Sequence, residues 1–164
     1  TETIESMNNL IDWLPKNLPS EKKTGIVHGD YSLTNVMIGK NDPNVIAILD
    51  WELSTLGDPC ADFNYHCLQY TMNPKLADKE FCKNQGIPII EDYVKMYSER
   101  INIDLTEEWD LYSAYNLFKL AGILQGILGR VRDGTAAHEN AAERASGVRN
   151  LSDTAWGLVQ KNFL

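Results

Sequence analysis

Residues 25–38 read Gly25-Ile26-Val27-His28-Gly29-Asp30-Tyr31-Ser32-Leu33-Thr34-Asn35-Val36-Met37-Ile38, and residues 45–52 read Val45-Ile46-Ala47-Ile48-Leu49-Asp50-Trp51-Glu52. Short β-branched and apolar runs read as strands, and Gly, Asn, Asp and Pro between them read as turns. Val36-Met37-Ile38 and Val45–Leu49 are joined by Gly39-Lys40-Asn41-Asp42-Pro43-Asn44, which predicts a hairpin-like pair. Asp30 and Asn35 then fall in the loop between two strands, and Asp50 falls at a strand end, where functional groups are commonly mounted. Asp30 alone is no more than a turn residue after Gly29. Together with Asn35 five residues on, and Asp50 fifteen beyond that, it can converge on one point. Oxygen donors of this kind suit Mg²⁺, which takes one or two protein carboxyl groups and fills its shell with water and phosphate oxygens.

The rest of the chain is mostly helical in pattern. Ile4, Met7, Leu10, Ile11 and Leu14 recur at helical spacing and stop at Pro15, and a polar link over residues 19–24 follows. After Pro59 the pattern gives helices over Ala61–Tyr70 (closed by Asn73-Pro74), Ile89–Ile101, Glu107–Val131 and Ala136–Val159. The third of these is apolar around much of its circumference and is expected to be buried on several sides. The expected fold class is α+β, mostly helical, with a small β-hairpin bearing the Asp30–Asn35 loop. The expected organisation is a single domain over residues 1–164: leading helix and link in 1–24, the loops carrying Asp30, Asn35 and Asp50 in 25–59, and a helical subdomain in 60–164.

Composition narrows the function classes. The chain has 164 residues, is 43% hydrophobic and carries a net charge of −8. That length supports one real core. That charge argues against nucleic acid or an anionic membrane as the main partner, because both attract basic patches. It sits oddly with a phosphate-bearing substrate unless divalent metal sets the local sign beside the carboxylates. Cys60, Cys67 and Cys82 are an odd number without a C-x-x-C pair, so they read as small core residues in a reducing, intracellular, cytoplasmic setting. No stretch approaches the ~20 apolar residues of a membrane span.

With those residues in view, the segment from Ile26 to Phe63 resembles the aminoglycoside phosphotransferase (choline-kinase-like) family, which has a protein-kinase-like fold. His28 to Asn35 stands as the family's H-G-D-x-x-x-x-N loop, and Leu49-Asp50-Trp51-Glu52 as its metal strand. Leu53-Ser54-Thr55-Leu56-Gly57-Asp58-Pro59 is similar to kinase-like domains found beside, or fused to, acyl-CoA dehydrogenases. The resemblance implies Asp30 as the group that accepts or orients the substrate hydroxyl proton. It implies Asn35 and Asp50 as Mg²⁺ ligands bridging the phosphates of ATP, and Glu52 as a ligand for a second metal. Asp62 resembles a helix-start carboxylate that grips the catalytic-loop amides, and His28 is expected to lock the same loop. Thr34 departs from relatives that carry Asp before the Asn, which should alter loop hydrogen bonding and not the metal set.

The same resemblance covers only the C-terminal lobe. Nothing before His28 offers the Gly-rich loop and phosphate-binding Lys with which kinase folds cover the nucleotide. A helix and a polar link precede it, and Lys16, Lys22 and Lys23 have no strand around them. The implied protein is an Mg-ATP-dependent small-molecule phosphotransferase whose N-lobe is missing here or on another chain, so this fragment alone is expected to be inactive. The implied partners are a small-molecule hydroxyl substrate, a nucleotide, and either an acyl-CoA dehydrogenase or the missing N-lobe. Aminoglycosides, choline-like alcohols and hydroxyacyl-CoA thioesters all remain as substrates, with the Leu49–Pro59 flavour favouring the last. A catalytically silent kinase-like binding or regulatory module is the alternative. Protein kinases fit less well, because H-G-D and D-W-E stand where they carry H-R-D and D-F-G, and no A-P-E follows.

The remaining polar residues have plainer readings. Asp58 before Pro59 reads as a helix cap. Trp51 reads as packing, and His66 and His138 as solvated or core-satisfied histidines. Arg130, Arg132, Arg144 and Arg149 read either as cations at helix ends or as contacts for an acidic or CoA-phosphate-bearing substrate.

Overall fold

A computed structural model describes residues 3–18, 23–135, 141–144 and 146–164. The chain forms two compact units, residues 20–109 and residues 1–19 with 110–164. Helix α1 (Glu5–Trp13) opens the chain, as its periodicity predicts. The 20–109 unit then begins with β1 (Gly25–Val27), β2 (Val36–Ile38), β3 (Val45–Ile48) and β4 (Thr55–Gly57). β2 and β3 pair antiparallel with Val36 opposite Ile48 and Met37 opposite Ala47, the hairpin that the turn cluster predicts. β1 pairs antiparallel with β4, Ile26 opposite Leu56. This second pairing has no sequence forecast. It closes residues 28–54 into one excursion, because the chain leaves β1 and returns through β4 beside it.

Helix α2 (Pro59–Cys67) follows at once, with Pro59 at its first position and the Asp58 side chain accepting from the Cys60 N–H at 2.9 Å. The cap reading of Asp58 is correct. Shorter helices α3 (Gln69–Met72), α4 (Pro74–Ala77) and α5 (Lys79–Asn84) come next, α4 and α5 capped by Asn73 and Asp78. Helix α6 (Ile90–Ile101) ends on Asn102, whose φ of 55° closes the last turn in the left-handed region. The core of this unit is Cys60, Phe63, Cys67, Leu68, Cys82, Val94 and Leu105. Phe63 stacks on Tyr97 with ring centroids 3.8 Å apart and packs edge-on to Tyr93 at 5.2 Å. All three cysteines are free and buried. Burial pushes the Cys67 thiol up to about 12, and burial with the nearby Asp58 carboxylate does the same to Cys60.

The other unit joins α1 to α7 (Trp109–Arg132), α8 (Ala141–Arg144) and α9 (Val148–Phe163). Met7 and Leu10 of α1 are buried, as are Leu151, Ala155 and Val159 of α9. Trp13 lies 5.7 Å from Phe163, and the Ser6 hydroxyl reaches Ser152 Oγ at 2.9 Å. The first half of α7 buries Leu111, Tyr112, Ala114, Leu117 and Ala121. Its second half differs from expectation. No residue after Ala121 is buried, and Ile123 is 46% exposed, so the apolar circumference does not translate into burial on several sides. The long last helix forecast over Ala136–Val159 is divided: α8 and α9 are separate, and residues 136–140, with His138, lie outside the described residues.

Candidate phosphotransfer site

The loop between β1 and β2 is fixed by its own backbone first. Gly29 has φ of 86°, and a Cβ there would meet the Leu53 carbonyl oxygen at 2.6 Å. Only glycine fits on both counts. The turn aims the N–H groups of His28 and Gly29 at the Asp62 carboxylate on α2, Oδ2 accepting from His28 and Oδ1 accepting from Gly29 at 3.0 Å. One carboxylate thus satisfies two adjacent loop amides, and charge-assisted bonds of this kind are roughly twice as strong as neutral ones.

His28 is 3% exposed, and both its ring nitrogens are engaged. Its Nδ1 accepts from the Asp30 N–H at 3.2 Å, so Nε2 carries the proton and donates to the Leu49 carbonyl at 2.8 Å. The ring also lies 4.8 Å from that of Trp51, whose Nε1–H donates to the Ile48 carbonyl at 2.8 Å. Trp51 is therefore held as packing, although 45% of it remains exposed.

Asn35 stands at the far end of the loop, in the single 3₁₀ turn Leu33–Asn35 that leads into β2. Its Nδ2 donates to the Asp30 carbonyl at 2.9 Å and to Asp30 Oδ2 at 3.1 Å. With the amide nitrogen committed to Asp30, Oδ1 is the end left to accept or ligate. The Asn35 carbonyl meanwhile accepts from the Leu49 N–H at 2.8 Å. The backbone of Leu49 is thus held by Asn35 on one side and His28 on the other, and Asp50 is the next residue. Asp50 itself has φ of 64°, one of two non-glycine residues with positive φ among the described residues. It is exposed, as is Glu52 in the following turn Trp51–Leu53.

The structure therefore brings Asp30 and Asn35 into direct contact and bonds the loop to the backbone of Leu49, the residue before Asp50. Glu52 has no described contact with that group. Among the described residues no three His, Cys, Asp or Glu side chains cluster as a metal cage. Thr34 is engaged by Ser32 at 2.7 Å between their hydroxyls, a loop contact available to a hydroxyl at that position.

Sequence reading overlooked Tyr65. It lies three residues after Asp62 on α2, and its hydroxyl hydrogen-bonds the Asp30 carboxylate. Burial, together with the Asp30 charge and that bond, pushes the phenol up to about 12. His66, beside it, packs 5.5 Å from Tyr31 and meets the Tyr93 hydroxyl at 3.2 Å. Burial lowers its pKa. A cavity of about 320 Å³ opens beside Tyr31, bordered by His28, Trp51, Asp62, Tyr97 and Arg100. In the other unit, the Arg132 guanidinium pairs with Asp133 at 2.8 Å, and the Thr135 N–H and hydroxyl close on the Arg130 carbonyl.

No described helix is long and apolar enough to cross a membrane. A family model described as the phosphotransferase enzyme family matches residues 2–115. Mouse acyl-CoA dehydrogenase family member 10 is 37% identical over 98% of this chain, which spans 16% of that protein. Rat acyl-CoA dehydrogenase family member 11 is 35% identical over 99% of this chain, spanning 22% of that protein. A crystal structure from Ralstonia eutropha, provisionally named an aminoglycoside phosphotransferase, superposes over the whole chain with a TM-score of 0.90 and 41% identity. The chain covers 51% of that structure, and so is shorter than each of these relatives. On the match of residues 2–115 and the whole-chain likeness to a solved relative, this chain belongs to the phosphotransferase enzyme family.

Proposed function

We propose that this chain is the C-terminal, catalytic lobe of an Mg-ATP-dependent phosphotransferase that acts on a hydroxyl group of a small molecule, within a longer protein. The observation that carries the reading is the junction at Leu49. The Leu49 N–H and carbonyl are bonded to Asn35 and His28, the Asn35 side chain bonds Asp30, and Asp50 follows in sequence, which supports reading a proton acceptor and two oxygen donors as one site. The donor set fits a hard cation. An amide oxygen and an exposed carboxylate are the ligands Mg²⁺ favours, and it keeps water and phosphate for the rest. Bound Mg-ATP would supply the phosphoryl group and neutralise the charge that develops on it. Asn35 Oδ1 and Asp50 would hold the metal, and Glu52 would serve a second ion.

The remaining roles belong to the chain alone. Asp30 orients the acceptor hydroxyl and takes its proton. Asp62 and His28 keep the loop from shifting while it does so. Phosphoryl transfer through a loose transition state needs alignment more than covalent help, which is why so few groups suffice. The cavity beside Tyr31 offers room for an acceptor within the usual range of ligand pockets. The names of the animal relatives favour a hydroxyacyl-CoA thioester as acceptor, with the acyl-CoA dehydrogenase part of the same longer protein as partner.

The test is phosphoryl transfer from Mg-ATP by the full-length gene product, with an aminoglycoside, choline and 3-hydroxybutyryl-CoA as acceptors. Asp30→Asn should lower turnover by ~10²–10⁴-fold and leave nucleotide binding near wild type. Unchanged turnover would refute the base assignment. Calorimetric titration with Mg-ATP should show tight binding to the longer protein and not to this chain. Binding by neither would point to a silent kinase-like module instead.

A further inference from the structure

Helix α2 meets the loop residue by residue. Asp62 accepts from the amides of His28 and Gly29, the Tyr65 hydroxyl bonds Asp30, and the His66 ring lies 5.5 Å from Tyr31. Positions 62, 65 and 66 are spaced three and four apart, so they share one face of the helix. We propose that Tyr65 is a positioning residue for Asp30, its hydroxyl donating to the carboxylate that Asn35 Nδ2 holds from the other end of the loop. This rests on the phosphotransferase reading of the site.

The chemistry gives the second hydrogen bond its purpose. A carboxylate held only by Asn35 could rotate about its Cβ–Cγ bond and carry its free lone pairs away from an arriving hydroxyl. A second donor, mounted on a helix and not on the loop, removes that freedom. Tyrosine suits the task because its phenol stays protonated: burial and the Asp30 charge keep it a donor at any physiological pH. The anchor is also rigid. α2 is capped by Asp58 and buries Cys60, Phe63, Asn64 and Cys67 on its other side.

A double-mutant cycle on the 164-residue chain tests the contact without any activity. Tyr65→Phe should lower the melting temperature by roughly 3 °C. In the Asp30→Ala background the same change should cost much less, since the bond to Asp30 is already gone. Additive losses would overturn the inference alone. In the longer protein, with Mg-ATP and 3-hydroxybutyryl-CoA, Tyr65→Phe should lower kcat roughly 10- to 100-fold and leave KM for Mg-ATP unchanged. Tyr70→Phe, which removes a hydroxyl bonded to the Pro88 carbonyl, should change neither. An unchanged kcat in Tyr65→Phe, or an equal loss in Tyr70→Phe, would overturn the positioning role. A longer protein without any phosphoryl transfer would instead overturn the functional reading, and the catalytic role of Tyr65 with it, while the cycle still reports the contact.

Discussion

His28 Nε2 donates to the Leu49 carbonyl at 2.8 Å, which ties the head of the 28–35 loop to the residue before Asp50. The two halves of the site are therefore coupled through an imidazole as well as through the Asn35 carbonyl and the β2–β3 pairing. His28→Phe keeps a ring against Trp51 but loses both the Leu49 and the Asp30 N–H bonds. It should cost about 1–2 kcal/mol of stability in urea denaturation. Transfer activity should fall while the helical circular-dichroism signal stays intact.

Asp62 is the more expensive residue to lose, because two loop amides depend on it. Asp62→Ala should destabilise by about 3 kcal/mol, and Asp62→Asn by about half, since one amide oxygen can still accept. Amide hydrogen exchange at His28 and Gly29 reads this directly. Fast exchange at both in the Ala variant, and at one in the Asn variant, is the expected outcome.

Asp50 sits at φ 64°, a region that L side chains adopt at a cost. Asp50→Gly should therefore raise thermal stability by about 1 kcal/mol and abolish metal-dependent nucleotide binding in the longer protein. A variant that is both sturdier and inert separates backbone strain from ligand role. Asp50→Gly that is less stable would show that the carboxylate itself supports the turn.

Burial lowers the pKa of His66, and this fixes the sign of a pH effect. The folded chain disfavours the proton that an unfolded histidine takes near pH ~6.5. Its stabilising contribution is therefore present above that pH and declines as pH falls through it, because the unfolded state binds more protons there. The melting temperature should drop between pH 7 and pH 5, and His66→Phe should flatten that drop. Parallel curves for the two proteins would assign the slope to another group.

The hairpin of β2 and β3 was legible because branched residues flank an unmistakable turn cluster, but the register shift between Met37 and Ile38 was not. The β1–β4 pair was not. Each strand has three residues, and Thr55-Leu56-Gly57 carries no alternation from which a pairing could be read. The helices α4 and α5 were passed over for the same reason of length, although their caps Asn73 and Asp78 are the residue types that begin helices. At the site, residue types and spacing singled out Asp30, Asn35 and Asp50, and the family resemblance added Asp62. Tyr65 escaped because a tyrosine inside a predicted helix reads as a packing residue. The signal that could have found it is its place one turn beyond Asp62.

The cap on α2 has a consequence for how this sequence can change. Asp58 and Pro59 pin the first turn, and the helix advances ~100° per residue from there. An insertion or deletion of one residue between Pro59 and Asp62 would swing the carboxylate, the phenol and the imidazole off the loop together. Substitutions at these positions can be graded, but a change of length cannot. Length variation in descendants of this chain should therefore gather in the Gly39–Asn44 turn and leave the Asp58–His66 interval constant.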